Sequence, residues 1–127
     1  MAEGKLRKLR MGEVFWLINC PALDDEGTKT RPVVILTPNH SVENELEPFI
    51  VVACTTRFSP NHLDAILLPN AATHPQTTSG LSRATWAIPK WYLPTTRQRL
   101  GRCIGSISGS TLKKVVLAVE ARMGESS

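Results

Sequence analysis

Two apolar segments of the sequence each have, at one end, a polar side chain suited to phosphate chemistry. Arg31 begins the segment RPVVILTP (31–38), and Thr55 lies near the end of PFIVVACTT (48–56). A guanidinium can donate two parallel hydrogen bonds to phosphate oxygens, and a hydroxyl can donate one more. If both segments are strands, backbone pairing holds these groups on a rigid support at the rim of a sheet. Each strand end is therefore a candidate position for a functional polar group.

Each of these two positions also has a simpler interpretation. Arg31 can be a surface residue paired with Glu26, which precedes it by five positions. Thr55 and Thr56 can be ordinary β-branched strand residues. The two patterns taken separately leave these alternatives open.

Other standard catalytic signatures are absent from the sequence. It has no GxGxxG, Walker loop, HExxH or nucleophile elbow. The histidines are predicted to be exposed in or beside loops without partners at metal spacing, although His62 is a candidate loop acid or base; they are His40, His62 and His74. We therefore predict neither a metal site nor a cofactor.

The cysteines are an odd number without CxxC or Cys/His spacing; they are Cys20, Cys54 and Cys103. This usage is typical of reduced, partly buried thiols in a cytosolic protein. A catalytic cysteine would need a nearby base, and the sequence identifies none.

Charge is distributed unevenly along the 127 residues, whose net charge is +4. Acidic residues are concentrated early, at 24–26 and at 43, 45 and 47, and none occurs between Asp64 and Glu120. All the charged side chains in that stretch are cationic; they are Arg83, Lys90, Arg97, Arg99, Arg102, Lys113 and Lys114. One-sided positive charge favours a polyanionic partner, because phosphate binding releases counterions. A generically basic surface is the alternative.

The pattern of apolar residues predicts a mainly β protein with one helix. Predicted strands span 12–19, 31–38, 48–56, 62–69, 83–93 and 99–107. Pro89 makes 83–93 either one kinked strand or two short strands. Helical spacing of apolar residues predicts a helix over 109–123. We expect one domain over 11–123, with a basic tail at 1–10 and a short tail at 124–127. No secretory signal is recognisable, and no apolar run approaches the roughly 20 residues of a membrane span.

Taken in order, these patterns resemble the PemK/MazF toxin family. The resemblance rests on GEVFWLIN, then Glu26 before the R-P-hydrophobic strand, then VVACTTR, and finally GRCIGSISGSTLKKVVLAVEARM, and it covers roughly residues 11–123. It implies an SH3-like, partly open β-barrel of the PemK/MazF/CcdB kind with a C-terminal helix. It also implies a homodimer that cleaves single-stranded RNA at selected sequences.

The resemblance assigns roles to three residues. Arg31 corresponds to the catalytic arginine of the family, Thr55 to its catalytic threonine, and Glu26 to a loop glutamate near the active site. The 2′-hydroxyl of RNA is the nucleophile, so the expected products are a 2′,3′-cyclic phosphate and a 5′-hydroxyl. Arginine is a poor base, so we expect Arg31 to stabilise charge, with acid catalysis as a further candidate role. The base stays unassigned, and Glu26 is a candidate if its loop closes over the substrate.

The sequence departs from the family pattern in three places. Arg57 replaces a glutamine, the loop after the first strand is DDEGTKT rather than a G-x-E-Q run, and Pro89-Lys90 replaces an acidic–glutamine pair. These departures leave the RNA sequence preference open. They also keep open a non-catalytic binding module on the same barrel.

We expect RNA to be bound by cations that track its backbone and aromatic rings that stack on its bases. The predicted backbone contacts are Thr56, Arg57, Arg83, Lys90, Arg97 and Arg99. Trp86, Trp91 and Tyr92 are the candidates for stacking. Trp91 and Tyr92 follow a breaker and are predicted to be exposed, whereas core or dimer contacts are the favoured interpretation for Trp16 and Trp86.

The resemblance also implies partners. A disordered acidic antitoxin would fold across the basic groove, and operator DNA is a possible target of the toxin–antitoxin complex. We expect a cytoplasmic protein with no membrane association. A toxin with a protein target such as a topoisomerase is the remaining alternative, and it would require the C-terminal helix face.

Overall fold

The computed structural model describes residues 9–20, 29–37 and 48–125. The described elements, in chain order, are β1 (Glu13–Cys20), β2 (Lys29–Ile35), β3 (Phe49–Thr55), β4 (Ile66–Leu67), β5 (Trp86–Thr95), a 3₁₀ turn (Arg97–Arg99), β6 (Leu100–Ser106) and α1 (Gly109–Glu125).

The strands form one six-stranded antiparallel sheet in the order β4-β5-β3-β2-β1-β6. The sheet curls into a half-barrel, and α1 follows it at the C-terminal end of the described chain. The predicted fold class, a mainly β, partly open barrel with a C-terminal helix, is therefore confirmed.

Both faces of the central strands are buried, which explains their nearly continuous apolar sequences. On β2, Val33 and Ile35 pack into one core cluster, whereas Val34 packs into a second cluster on the opposite face. Side chains alternate along a strand, so a run without polar interruptions indicates a strand covered on both sides. The second cluster also contains Val115 and Val119 of α1. The helix thus covers one face of the sheet with the stripe that the sequence predicted.

An ion pair joins α1 to the connection between β3 and β4. The Arg122 guanidinium donates from Nε to Oδ2 of Asp64 at 2.8 Å and from Nη2 to Oδ1 at 3.1 Å. The hydrogen bonds from Arg122 hold the pKa of Asp64 below its usual range. This bidentate contact ties the helix to the segment that follows β3.

Two strand predictions differ from the structure. The predicted strand 62–69 contains only Ile66–Leu67, because the preceding residues turn: His62 N–H donates to the Ser59 carbonyl at 3.0 Å, and Ala65 N–H donates to the His62 carbonyl at 3.1 Å. In β5 the strand continues through Pro89, but its register against β3 shifts between Val52 and Cys54. A bulge accommodates a proline, which has no N–H for the ladder.

The connection between β4 and β5 crosses the outer edge of β6. Ser106 N–H donates to the Thr78 carbonyl at 2.9 Å. A side chain at Gly80, where φ is +77°, would collide with the Ile104 carbonyl. Glycine is therefore required by both the close approach and the backbone conformation. The crossing places residues 80–85 beside the start of β2 and the end of β3.

The described chain extends slightly beyond the predicted domain at both ends. Leu9 is fully buried in the first core cluster, and the Arg10 N–H donates to the Glu13 carboxylate at 2.7 Å. Across residues 9–20, 29–37 and 48–125, no helix has both the length and the apolar character needed to cross a membrane.

Candidate functional site

A cavity of about 450 Å³ lies where β2 begins and β3 ends, and we call it the strand-end cavity. Its walls come from residues 29–32, 54–57 and 80–83, together with Trp16, Thr85 and Ile104. Lys29, Thr56 and Arg83 on its border are exposed, so the cavity is accessible to solvent.

Arg31 and Thr55 are cross-strand neighbours at this cavity. Val33 pairs with Ala53 and Ile35 with Val51, and the same antiparallel register continued toward the strand ends sets Arg31 opposite Thr55. Directly opposite residues project from the same face of a sheet. Both border the cavity, although only 3% of Arg31 and 7% of Thr55 is exposed. The structure thus brings the two predicted residues together and holds both tightly.

The Arg31 guanidinium lies over an aromatic ring. Its central carbon is 4.8 Å from the centre of the Trp91 ring, and the His62 ring meets Trp91 edge-on at 5.2 Å. A desolvated cation–π contact stabilises by about 2 kcal/mol, so this stack restrains the guanidinium. The exposure predictions for two of these residues are wrong, since Trp91 is 2% and His62 8% exposed. A ring buried to that extent cannot offer a face to an RNA base.

The hydroxyl of Thr55 is oriented by the turn that follows β3. Its oxygen accepts a hydrogen bond of 3.0 Å from the Arg57 N–H. A threonine hydroxyl carries one donor in addition to its acceptor lone pairs. The backbone contact therefore uses acceptor capacity and leaves the O–H able to donate to a ligand.

The described border of the cavity is cationic. Lys29, Arg31, Arg57 and Arg83 all contribute to it, and no Asp or Glu within the described ranges does so. Low-dielectric walls with charge of one sign concentrate an oppositely charged ligand. The predicted RNA-binding residues Thr56, Arg57 and Arg83 are exposed here, beside Arg31 and Thr55.

Two buried thiols lie near Arg31, and one of them borders the cavity. Burial raises the pKa of Cys54 far above the ordinary thiol range, although the Arg31 charge opposes this shift. Burial likewise raises the pKa of Cys20, again against the effect of Arg31. The three cysteines are free thiols, as the sequence predicted. A protonated thiol is a poor nucleophile and a poor base, so Cys54 is a wall residue of the cavity.

The remaining predicted RNA-binding residues lie elsewhere. Arg97 and Arg99 belong to the 3₁₀ turn, and Arg99 borders a second cavity of about 290 Å³ with Leu17, Asn19 and Thr95. Lys90 is exposed on β5, and Tyr92 packs partly into the second core cluster. Glu26 lies outside the described residues.

Sequence reasoning missed one aromatic residue of the cavity. Trp16 was predicted to be a core or dimer contact; it is 40% exposed and borders the cavity, so the core alternative is wrong and the dimer contact stays a prediction. Its neighbours Phe15 and Leu17 are buried, so strand alternation was a signal that Trp16 faces the other way.

Potential metal ligands do not cluster in this region. Among the residues that the structure describes, no group of three or more His, Cys, Asp or Glu side chains could hold a metal ion. The described polar groups of the cavity are instead guanidinium, ammonium and hydroxyl groups, which are suited to an anionic ligand.

Solved structures with the same fold are toxins and endoribonucleases. MazF from Deinococcus radiodurans superposes with a TM-score of 0.70 at 16% identity, covering 94% of this chain and 99% of that chain. The Mycobacterium tuberculosis toxin MazF-mt6 has a TM-score of 0.62 at 21% identity, with coverages of 88% and 96%. An endoribonuclease from a mycobacterial species, in complex with its cognate antitoxin, has a TM-score of 0.61 at 14% identity, with coverages of 94% and 96%.

A family comparison agrees with these structures. No curated relative matches the sequence. The family model of the PemK-like, MazF-like toxins matches residues 10–122, which is most of the chain. The chain therefore belongs to the PemK-like, MazF-like toxins of type II toxin–antitoxin systems.

Proposed function

We propose that this toxin is a metal-independent endoribonuclease that cleaves single-stranded RNA to a 2′,3′-cyclic phosphate and a 5′-hydroxyl. One observation carries the proposal: Arg31 and Thr55 both line one cavity whose described border is cationic. It is supported by the endoribonucleases among the solved structures with the same fold.

The reaction needs little from the protein because RNA carries its own nucleophile. The 2′-oxygen attacks phosphorus, the bond from phosphorus to the 5′-oxygen breaks, and one proton moves from the 2′-hydroxyl to the leaving 5′-oxygen. The protein must remove the first proton, deliver the second and stabilise the negative charge that builds up on the phosphoryl oxygens. None of these tasks requires a metal ion.

Arg31 is suited to stabilising the charge. A guanidinium can bind two phosphoryl oxygens at once, and the cation–π contact with Trp91 restrains it before substrate arrives. Thr55 O–H would donate a further hydrogen bond to the phosphate. A preorganised donor of this kind is typically worth about 3–4 kcal/mol in the transition state.

The described border of the cavity contains no good general base. Its ionisable groups are the cations and Cys54, whose thiol stays protonated. We therefore propose Glu26, which precedes Arg31 in the chain, as the group that accepts the 2′-hydroxyl proton. Replacing Glu26 with Gln should abolish the acidic limb of the pH–rate profile while RNA binding persists.

The same cavity would serve the antitoxin. We propose that an acidic antitoxin segment places carboxylates against Arg31, Arg57 and Arg83 and so excludes RNA. Several of the solved structures with the same fold are toxin–antitoxin complexes. We further propose that the toxin is a cytoplasmic homodimer. Operator DNA would be bound by the toxin–antitoxin complex.

Purified toxin incubated with mixed single-stranded RNA in EDTA tests the activity. We expect fragments with cyclic phosphate and 5′-hydroxyl ends, and cleavage about 10²–10³-fold slower with Arg31→Ala. Binding without cleavage by the unaltered protein would instead support a non-catalytic module. Cleavage that persists in Arg31→Ala at the unaltered rate would refute the site.

A further inference from the structure

A row of four side chains extends the candidate site across the sheet. Thr55 on β3 pairs with Trp86 on β5, and Trp86 pairs with Leu67 on β4. The β2–β3 register, continued one pair beyond Val33 and Ala53 on the same face, sets Arg31 opposite Thr55. Directly opposite residues share a face, so Trp86 stands on the same side of the sheet as the proposed catalytic pair. Adjacent strands are about 5 Å apart, which places the backbone of Trp86 one strand from Thr55 and about 10 Å from Arg31.

A second aromatic ring covers Trp86. The Phe58 and Trp86 ring centres are 5.4 Å apart, with the ring planes tilted by 50°. Trp86 is half-buried, whereas 57% of Phe58 is exposed. One side of the Phe58 ring therefore packs on Trp86 while the remainder faces water. We call these two residues the aromatic platform.

The aromatic platform does not line the strand-end cavity but is joined to residues that do, including Thr55, which pairs with Trp86. Phe58 follows Arg57 in the chain and Trp86 follows Thr85, and both preceding residues border the cavity. The backbone of Arg57 is also held in place, because its N–H donates to the Thr55 hydroxyl at 3.0 Å. A ligand that reaches from the cavity onto the aromatic platform therefore passes exposed cations before it meets the rings.

This order of groups fits a nucleotide better than an apolar protein segment. A nucleotide presents an anionic phosphate next to a flat base, and single-strand binders combine cationic grooves with aromatic stacking surfaces. An apolar partner would gain nothing from Arg57 and Arg83, whose charges it would have to desolvate.

We propose that Phe58 and Trp86 stack on the base of a nucleotide adjacent to the scissile phosphate. This proposal rests on the proposed endoribonuclease function and adds a subsite to it. Every base has a π face, so the aromatic platform contributes affinity and positioning rather than base identity. Its effect falls on RNA binding, in contrast to the effect of Arg31 on the chemical step.

Binding can be measured without cleavage by using an RNA oligonucleotide that contains a mapped cleavage site with 2′-deoxyribose at the cut nucleotide. Phe58→Ala should weaken binding of this probe about tenfold, since it removes a base–aromatic stack. Phe58→Tyr should restore it. Leu63 provides the matched control, because it lies in the same connection and is 92% exposed; Leu63→Ala should leave the dissociation constant unchanged.

Abasic substitutions in the same probe identify the stacked nucleotide. In the unaltered toxin, removing one base next to the cleavage site should weaken binding about tenfold. In Phe58→Ala, removing that base should have little further effect, since the two changes delete the same interaction. Equal losses of affinity at every abasic position in both proteins would overturn the aromatic platform.

The two proposals can fail separately. If the unaltered toxin cleaves RNA but Phe58→Ala binds the probe normally, the aromatic platform is refuted and the endoribonuclease function stands. If the unaltered toxin neither binds nor cleaves any RNA, the function itself is refuted. If Phe58→Ala weakens binding of an acidic antitoxin peptide but not of RNA, the rings contact the partner protein and the base-stacking proposal is overturned.

Discussion

Two basic regions of this toxin differ in how firmly their cations are held. At the strand-end cavity, Arg31 is 3% exposed, lies over Trp91 and faces a hydroxyl across the ladder. At the 3₁₀ turn, Arg99 is exposed and borders a cavity of about 290 Å³, smaller than the 450 Å³ of the first. Both regions attract a polyanion, but only the first presents a preorganised guanidinium–hydroxyl pair.

The difference separates two uses of positive charge. Exposed cations contribute to encounter and affinity, and salt screens their effect. A buried guanidinium whose orientation is already fixed stabilises transition-state charge without reorganising during the reaction. We therefore expect substitutions in the two regions to change different measured quantities.

The largest effect should come from Arg31. Arg31→Ala should lower kcat by about 10²–10³-fold, because it removes the donor aimed at the phosphoryl oxygens. Arg31→Lys should recover only part of this loss, since an ammonium cannot bind two oxygens in one plane. Single-turnover cleavage of a defined RNA measures both rates. Equal losses of rate in Arg31→Ala and Arg99→Ala would contradict the proposal that the two regions contribute differently to the chemical step.

The second-largest effect on kcat should come from substitution of Thr55. Thr55→Val keeps the shape but removes the O–H and the acceptor for the Arg57 N–H, so we expect a loss of about 10²-fold in kcat. Thr55→Ser retains both groups and should remain within a few-fold of the unaltered toxin. If Thr55→Ser were as inactive as Thr55→Val, the hydroxyl would not be the functional group.

Trp91 tests whether the guanidinium must be held in place. Trp91→Leu removes the cation–π interaction, and a loss of about 2 kcal/mol corresponds to roughly a 30-fold lower kcat with little change in KM. Trp91→Phe keeps an aromatic face and should recover much of the rate. Urea unfolding of both variants provides the control, because a purely structural role would make rate loss follow destabilisation.

Paired substitutions compare the exposed cations of the two regions directly. The double variant Arg57→Ala/Arg83→Ala should bind RNA with a weaker salt dependence. The magnitude of the slope of log affinity against log salt should fall by about 0.7 for each phosphate that the variant no longer neutralises. The double variant Arg97→Ala/Arg99→Ala should leave that slope unchanged for an oligonucleotide that is short enough to occupy only the strand-end cavity. Fluorescence anisotropy over a salt series measures both. Identical slopes for the two double variants would show that the regions bind RNA alike.

The smallest effect should come from Cys54. Because burial keeps its pKa above the ordinary thiol range, the thiol is protonated at neutral pH and takes no part in proton transfer. Cys54→Ala should change the cleavage rate by less than about threefold. The pH–rate profile should keep its shape in this variant. Disappearance of an inflection would show that the thiol titrates during the reaction.

The sequence predicted the elements that carry the site because their signals are local. Arg31 and Thr55 stand at the ends of uninterrupted apolar runs, and such runs indicate strands buried on both faces. The terminal helix was predicted for the same reason, since Val115 and Val119 repeat at helical spacing and both are buried.

The exposure of the aromatic residues was predicted wrongly because it depends on register. The register of β5 against β3 shifts between Val52 and Cys54, so the alternation of buried and exposed positions does not continue through Pro89 to Trp91. His62 is distant from Trp91 in the chain, and only the turn at 59–65 brings the two rings together.

By itself the sequence determined the helix, most of the strands and which strand ends carry an arginine and a threonine, and it indicated the toxin family that the order of motifs resembles. The tertiary structure decided which cations share a cavity, which rings face water and which ring restrains Arg31. The physical reason is that periodicity and end residues are properties of one segment. Shared cavities and stacked rings depend instead on the register and curvature that bring segments distant in sequence side by side.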